Sequence, residues 1–212
     1  MNGFSIKCSG LEKKYLNRVI FRNFNAELNE GESLAVTGKN GSGKSTLLKI
    51  IANLIKPDRG SIVFTENGGE INREKHHFHT GMIAPYINLY EELTAYENLA
   101  FFYDLKNPGG KDKKERIDSL LEKVNLYGRR NDEVKNFSSG MKQRVKLAFA
   151  VINNPRLLLM DEPRTNLDTE GVDLVYGVAE EQKKNGILII ATNEPEDTGL
   201  CARVVSVEDF KQ

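Results

Sequence analysis

The stretch Gly38-Lys39-Asn40-Gly41-Ser42-Gly43-Lys44-Ser45-Thr46 fits the spacing G-x-x-x-x-G-K-[ST] from Gly38 to Ser45. Its glycines let successive backbone N–H groups turn inward, a geometry that cradles phosphate oxygens. Lys44 supplies a positive charge to β- and γ-phosphates, and Ser45 offers a hydroxyl to Mg²⁺. A helix starting here would aim the positive end of its dipole at the same anion. The implied ligand is a nucleoside triphosphate.

Two further segments carry chemistry. Leu157-Leu158-Leu159-Met160 reads as a buried strand and is followed at once by Asp161-Glu162. Carboxylates at the end of a buried strand sit where open α/β sheets meet their ligands. Asp161 suits Mg²⁺ and Glu162 suits the water that attacks a γ-phosphate, although an acidic turn after a core strand would look the same in isolation. Phe137-Ser138-Ser139-Gly140-Met141-Lys142-Gln143-Arg144 opens a helix with small residues and leaves N–H groups free for an anion.

The elements that must position these residues follow from periodicity and turn signals. Strands are expected over 4–9, 24–28, 33–37 and 61–66, with Asn67-Gly68-Gly69 as a hairpin turn. From about Leu89 the pattern becomes helical, opened by Thr94-x-x-Glu97 as a capping box and interrupted at Asn107-Pro108-Gly109-Gly110. Ile117, Leu120, Leu121 and Val124 mark a second surface helix, and Asn153-Asn154-Pro155 stops the one that begins after Ser139. Alternation then returns: a strand at 157–160, a helix at 168–184, a strand at 187–192 and a short strand at 204–207. The expected fold is α/β, one domain over 1–212 with a mostly parallel core sheet, an N-terminal antiparallel β subdomain and a helical insert at approximately 86–153.

Composition narrows the setting. Thirty basic and thirty acidic residues cancel, so no global field favours nucleic acid. Cys8 and Cys201 lie far apart, which argues against a disulfide framework or structural zinc and fits a reducing, cytosolic setting. No apolar run reaches the length of a membrane span, and Met1-Asn2-Gly3-Phe4 opens no signal peptide. His76-His77-Phe78-His79 reads as solvated loop residues, with a metal site as the alternative; Arg129-Arg130 and Lys111 to Lys114 read as exposed charge.

Taken together, the phosphate loop, Asp161-Glu162 and the Ser138 to Arg144 segment resemble the ATP-binding cassette (ABC) family of P-loop NTPases. Ser138 and Gly140 match its signature Leu-Ser-Gly-Gly-Gln. The resemblance covers nearly the whole chain and implies ATP and Mg²⁺ as ligands. It places Tyr15 against adenine, where the other reading is a solvated or core tyrosine, and assigns Asp168 to the D-loop. Ser138, Ser139 and Gly140 would cap ATP held by a second copy of the chain or a related ATPase. It implies an ATPase powering transmembrane permease subunits, docked on the cytoplasmic face through the region from Pro85 to Leu93, without direct nucleic-acid binding. Length and this early loop are similar to the haem-exporter type of cytochrome c maturation.

Two positions depart from the family pattern. Gapless alignment sets Pro85, with Tyr86 beside it, where the family has a metal-sensing glutamine, and Asn193 where it has a histidine that contacts the γ-phosphate. Asn193 can donate a hydrogen bond but carries no charge, so hydrolysis, rather than binding, is the step put in question. Two other readings stay open: a soluble ABC ATPase outside transport, and a regulatory ATP-binding module that hydrolyses weakly. No Asn-Lys-x-Asp motif supports a GTPase.

Overall fold

A computed structural model describes residues 3–16 and 18–211, so Met1 and Asn2 of the opening segment lie outside the described residues. In chain order the elements are β1 (Phe4–Tyr15), β2 (Arg18–Asn29), β3 (Ser33–Thr37), α1 (Lys44–Ile51), β4 (Arg59–Glu66) and β5 (Gly69–Ile71). Next come α2 (His76–His79), β6 (Thr80–Ile83), α3 (Ala95–Lys106), α4 (Lys113–Lys123) and α5 (Ser139–Val151). The chain closes with β7 (Leu157–Asp161), α6 (Thr169–Asn185), β8 (Ile187–Ala191), α7 (Pro195–Thr198) and β9 (Arg203–Ser206).

Two sheets form. One is antiparallel with strand order β2-β1-β4-β5, and the other is parallel with order β6-β7-β8-β3-β9. Every residue of β7 and β8 is buried, which explains their unbroken apolar runs: a central parallel strand has core on both faces. Alternate side chains divide between the two cores. Leu157, Leu159, Ile187 and Ile189 pack with α1 and the antiparallel sheet, while Leu158, Met160, Leu188 and Ile190 pack with the helical side. The parallel sheet is thus the middle layer of three.

The helical side is closed by apolar faces of α3, α4, α5 and α6, carrying Leu99, Leu121, Val145 and Val175 among others. Thr94 completes the capping box of α3 with Glu97, the Thr94 hydroxyl accepting from the Glu97 N–H and the Glu97 carboxylate accepting from the Thr94 N–H. Ser138 and Asp168 cap α5 and α6 in the same way, accepting from the N–H groups of Met141 and Gly171. At the hairpin between β4 and β5, Asn67 and Gly68 both take positive φ, 52° and 82°, as a tight two-residue turn requires.

The structure differs from the sequence reading in three places. β1 and β2 extend to a long hairpin, because bulges between Cys8 and Lys14 let the ladder continue across irregular spacing. β6 is a strand of the parallel sheet, paired with β7, where the sequence reading placed only a loop. The histidines are not a solvated loop. They form α2, in which His76 is 2% exposed, stacks on Phe64 at 3.9 Å between ring centroids and lies 3.1 Å from the Ile71 carbonyl through Nε2. His79 stacks on Phe4, so two of the three rings are packing elements; burial lowers the pKa of both.

Candidate functional site

Four parallel strands end on one side of the sheet, and each delivers a chemical segment there. β3 runs into Gly38 to Thr46, β7 into Asp161-Glu162, β8 into Thr192-Asn193 and β6 into Ala84-Pro85-Tyr86. This is the carboxyl edge at which open α/β sheets bind ligands.

The phosphate loop is built against the antiparallel sheet. Gly43, the N-cap of α1, has φ 118°, and a Cβ there would stand 2.3 Å from Ile20 Cγ2 of β2. A side chain is thereby excluded twice over, by backbone conformation and by packing. Lys44 is only 6% exposed. Its ammonium donates to the Gly38 carbonyl at 2.7 Å and to Asn193 Oδ1 at 2.9 Å, and lies 3.5 Å from Glu162 Oε1. Asn193 Nδ2 in turn donates to Asn40 Oδ1 at 2.6 Å, tying the end of β8 to the loop.

Asp161 is 1% exposed, and neither carboxylate oxygen has a hydrogen-bond partner among the described residues. A buried carboxylate without partners is costly unless something positive or donating meets it. Burial raises its pKa, opposed by the Ser45 and Tyr86 hydroxyls and by Lys44 and Lys49; the two hydroxyls are near enough to act on it but outside good hydrogen-bond geometry. Burial also raises Glu162, with Lys44 opposing. Glu162 takes φ 48°, a strained setting for a residue with a side chain, and its N–H donates to the Ala191 carbonyl. An orphaned carboxylate beside the Ser45 hydroxyl is the donor set a hard, oxygen-seeking cation such as Mg²⁺ fits.

The residue of the β6 loop that faces the site is Tyr86 and not Pro85. Pro85 is exposed, whereas the Tyr86 hydroxyl is buried without a hydrogen-bond partner beside Asp161, and the Lys49 ammonium sits 3.7 Å above its ring centroid. Gapless alignment set Pro85 at this place with Tyr86 beside it; a proline next to a tyrosine carries no sign of which one turns inward.

Tyr15 is 50% exposed at the tip of the hairpin, on the same β1–β2 unit whose Ile20 and Phe21 back the phosphate loop. A core role for it is thereby removed. Ser138, Ser139 and Gly140 stand at the exposed start of α5, and the hydrogen bonds of Ser138 stay within the first turn of that helix. The same helix is held to the segment after β7. Buried Gln143 donates to the Pro163 carbonyl at 3.3 Å, and Arg144 donates to Asp168 at 3.1 Å and Glu170 at 2.9 Å. In the sequence Gln143 and Arg144 are legible only as part of the segment that opens this helix; their partners are not local in sequence.

Residues 21–165 match the family model described as ABC transporter. The chain is 35% identical over 204 residues to the uncharacterised ABC transporter ATP-binding protein YdbJ of Bacillus subtilis, covering 94% of this chain and 65% of that protein. It is 34% identical over 179 residues to the cytochrome c biogenesis ATP-binding export protein CcmA of Vibrio vulnificus, covering 84% and 86%. The fold superimposes on a dimeric post-hydrolysis state of an ATP-binding cassette bound to ADP and Pi, with a TM-score of 0.84, 25% identity and coverage of 95% and 93%. The chain belongs to the ABC transporter family, as one of its ATP-binding modules.

Proposed function

We propose that the chain hydrolyses ATP as the nucleotide-binding subunit of a transporter, and that it works as a closing pair with a second copy or a related ATPase. The observation that carries this is the convergence of Lys44, Glu162 and Asp161 at the strand ends. An arriving triphosphate takes over Lys44 from Asn193 and Glu162, which frees the Glu162 carboxylate to orient and deprotonate a water. Asp161 and Ser45 would hold Mg²⁺, which supplies charge neutralisation of the phosphates. Tyr15 offers an exposed ring for adenine, and Gly38 to Thr46 cradle the phosphates.

The pairing reading rests on the exposed α5 N-terminus. Ser138, Ser139 and Gly140 present free backbone donors outward, as a cap for a nucleotide bound to another subunit, with Asp168 held alongside by Arg144. No helix among the described residues is long and apolar enough to cross a membrane, and the transport reading pairs the chain with permease subunits on whose cytoplasmic face it would sit. A groove of about 660 Å³ beside Tyr86, lined by Leu54, Ile87, Leu89, Tyr90, Phe102 and Leu105, suits an amphipathic helix from such a partner.

Glu162→Gln tests the enzymatic reading. ATP hydrolysis should fall by about 10²–10⁴-fold, the contribution of a general base, while ATP binding persists. A wild-type rate equal to that of the variant, with the membrane partner present, refutes it and favours the weakly hydrolysing module that Asn193 leaves open. Co-purification with a membrane protein separates transport from a soluble ABC ATPase.

A further inference from the structure

The Tyr86 hydroxyl is a buried polar group at the site to which the mechanism above gives no task; the Ser42 hydroxyl is buried without a partner too, but it lies within the phosphate loop itself. The Tyr86 hydroxyl is buried near enough to Asp161 for each to act on the other's pKa, and neither it nor either oxygen of Asp161 has a hydrogen-bond partner among the described residues. Unpartnered polar atoms gathered in this way mark a place built for something further. The Lys49 ammonium sits 3.7 Å from the centroid of the ring, and Lys49 belongs to the same helix that starts at the phosphate loop. Behind it, the Ile87 N–H donates to the Ala84 carbonyl at 3.1 Å, closing a turn that fixes the backbone of the tyrosine. A phenol has one donor and cannot ligate Mg²⁺ strongly while protonated, but it can direct a carboxylate.

We propose that Tyr86 is the positioning residue of the Asp161 carboxylate: when the cation binds, its hydroxyl turns to donate to one oxygen and leaves the other toward the divalent cation and its waters. This inference rests on Asp161 being the cation-holding carboxylate. Orienting partners of this kind set metal affinity even though they do not touch the ion. The neighbouring Ile87 lines the apolar groove, so the same short loop joins the cation site to the docking surface.

The test is Mn²⁺ affinity for the protein complexed with the non-hydrolysable analogue AMP-PNP, read from the EPR signal of free Mn²⁺. Tyr86→Phe keeps the ring and its contact with Lys49. It should weaken Mn²⁺ binding about fivefold, equivalent to about 1 kcal/mol for one hydrogen bond at 1.4 kcal/mol per tenfold. AMP-PNP affinity without divalent ion should not change. Tyr86→Leu, which also removes the ring, should weaken Mn²⁺ binding no more than Tyr86→Phe does. Unchanged Mn²⁺ affinity in Tyr86→Phe, or a loss confined to Tyr86→Leu, overturns the positioning role and makes the residue a packing element. Asp161→Asn separates the two readings: if it too leaves Mn²⁺ affinity intact, the assignment of Asp161 fails first.

Discussion

Replacing Gly43 with alanine attacks the phosphate loop without touching a charge, and its cost can be worked from the coordinates. At φ 118° the position lies outside the small left-handed region open to L-residues, a strain of about 1–3 kcal/mol. The added methyl would meet Ile20 Cγ2 at 2.3 Å, Val207 Cγ1 at 3.5 Å and Phe21 Cδ1 at 3.7 Å. Ile20 is 8% exposed, so its methyl has little room to retreat, and overpacking of this kind adds about 1–3 kcal/mol. The sum, about 2–6 kcal/mol, is a large part of an ordinary folding free energy. With an unfolding entropy of about 2.1 cal/mol/K per residue, a loss of about 3 kcal/mol lowers Tm by roughly 7 °C for a chain of this length.

Calorimetry of three variants separates strain from clash. Gly41→Ala has positive φ, 73°, but no atom within 4 Å of its methyl, so it should cost only about 1 kcal/mol and roughly 2 °C. Ile20→Leu keeps side-chain volume while moving the branch off Cβ, and combined with Gly43→Ala it should recover at least about 1 kcal/mol. If Gly43→Ala melts no lower than Gly41→Ala, or if Ile20→Leu brings no recovery, the packing of β2 against the loop is not what excludes the side chain.

Two further outcomes follow from the same structure. Lys106, on the rim of the groove, donates to the Thr80 carbonyl at 2.8 Å and is pushed down to about 8 by burial. For a base with a lowered folded pKa, the unfolded chain binds more protons between pH 8 and pH 10.5, so this group's contribution to stability rises with pH through that window. Below pH 8 the buried charge is a full penalty; Lys106→Met should therefore raise stability at pH 7 by about 1 kcal/mol once groove solvent is allowed for, and this gain should fade by pH 10.5 in urea unfolding. An equal difference at both pH values would refute the assignment. Asn193→His puts a longer, ionisable donor at the end of β8 and is expected to speed single-turnover hydrolysis by up to about tenfold, the worth of replacing a neutral hydrogen bond with a charged one. An unchanged rate removes the missing imidazole as the limit.

What the sequence disclosed of this site was local. Lys44, Ser45, Asp161 and the helix starts at Thr94 and Ser138 are read from spacing, because each acts within a few residues of the element that carries it, whereas the capping role of Asp168 came only with the structure. β6 was hidden because Gly81 interrupts it. The structure explains that glycine: a Cβ there would stand 2.0 Å from the Ala150 carbonyl oxygen, so close packing of α5 removes the side chain that would have signalled a strand. His76 was misread because what buries it, Phe64, belongs to an earlier strand already closed off by its own turn. Tyr86 was passed over because only the folded sheet brings the β6 loop beside the end of β7.

The contacts also rank the ways in which the strand ends can speak to the helical side. Arg144 reaches Asp168 and Glu170, but both carboxylates are more than half exposed, and ion pairs of that kind contribute about 0–1 kcal/mol. Gln143 is 7% exposed and its amide donates to the Pro163 carbonyl, two residues past Asp161. Loss of a buried partner leaves the carbonyl unsatisfied, at about 1–3 kcal/mol. The neutral bond therefore outweighs the ion pairs as the mechanical link between the carboxylates at the end of β7 and the helix that presents Ser138 to Gly140. A shift of Asp161 and Glu162 on nucleotide binding would be passed to α5 through Gln143 before Arg144.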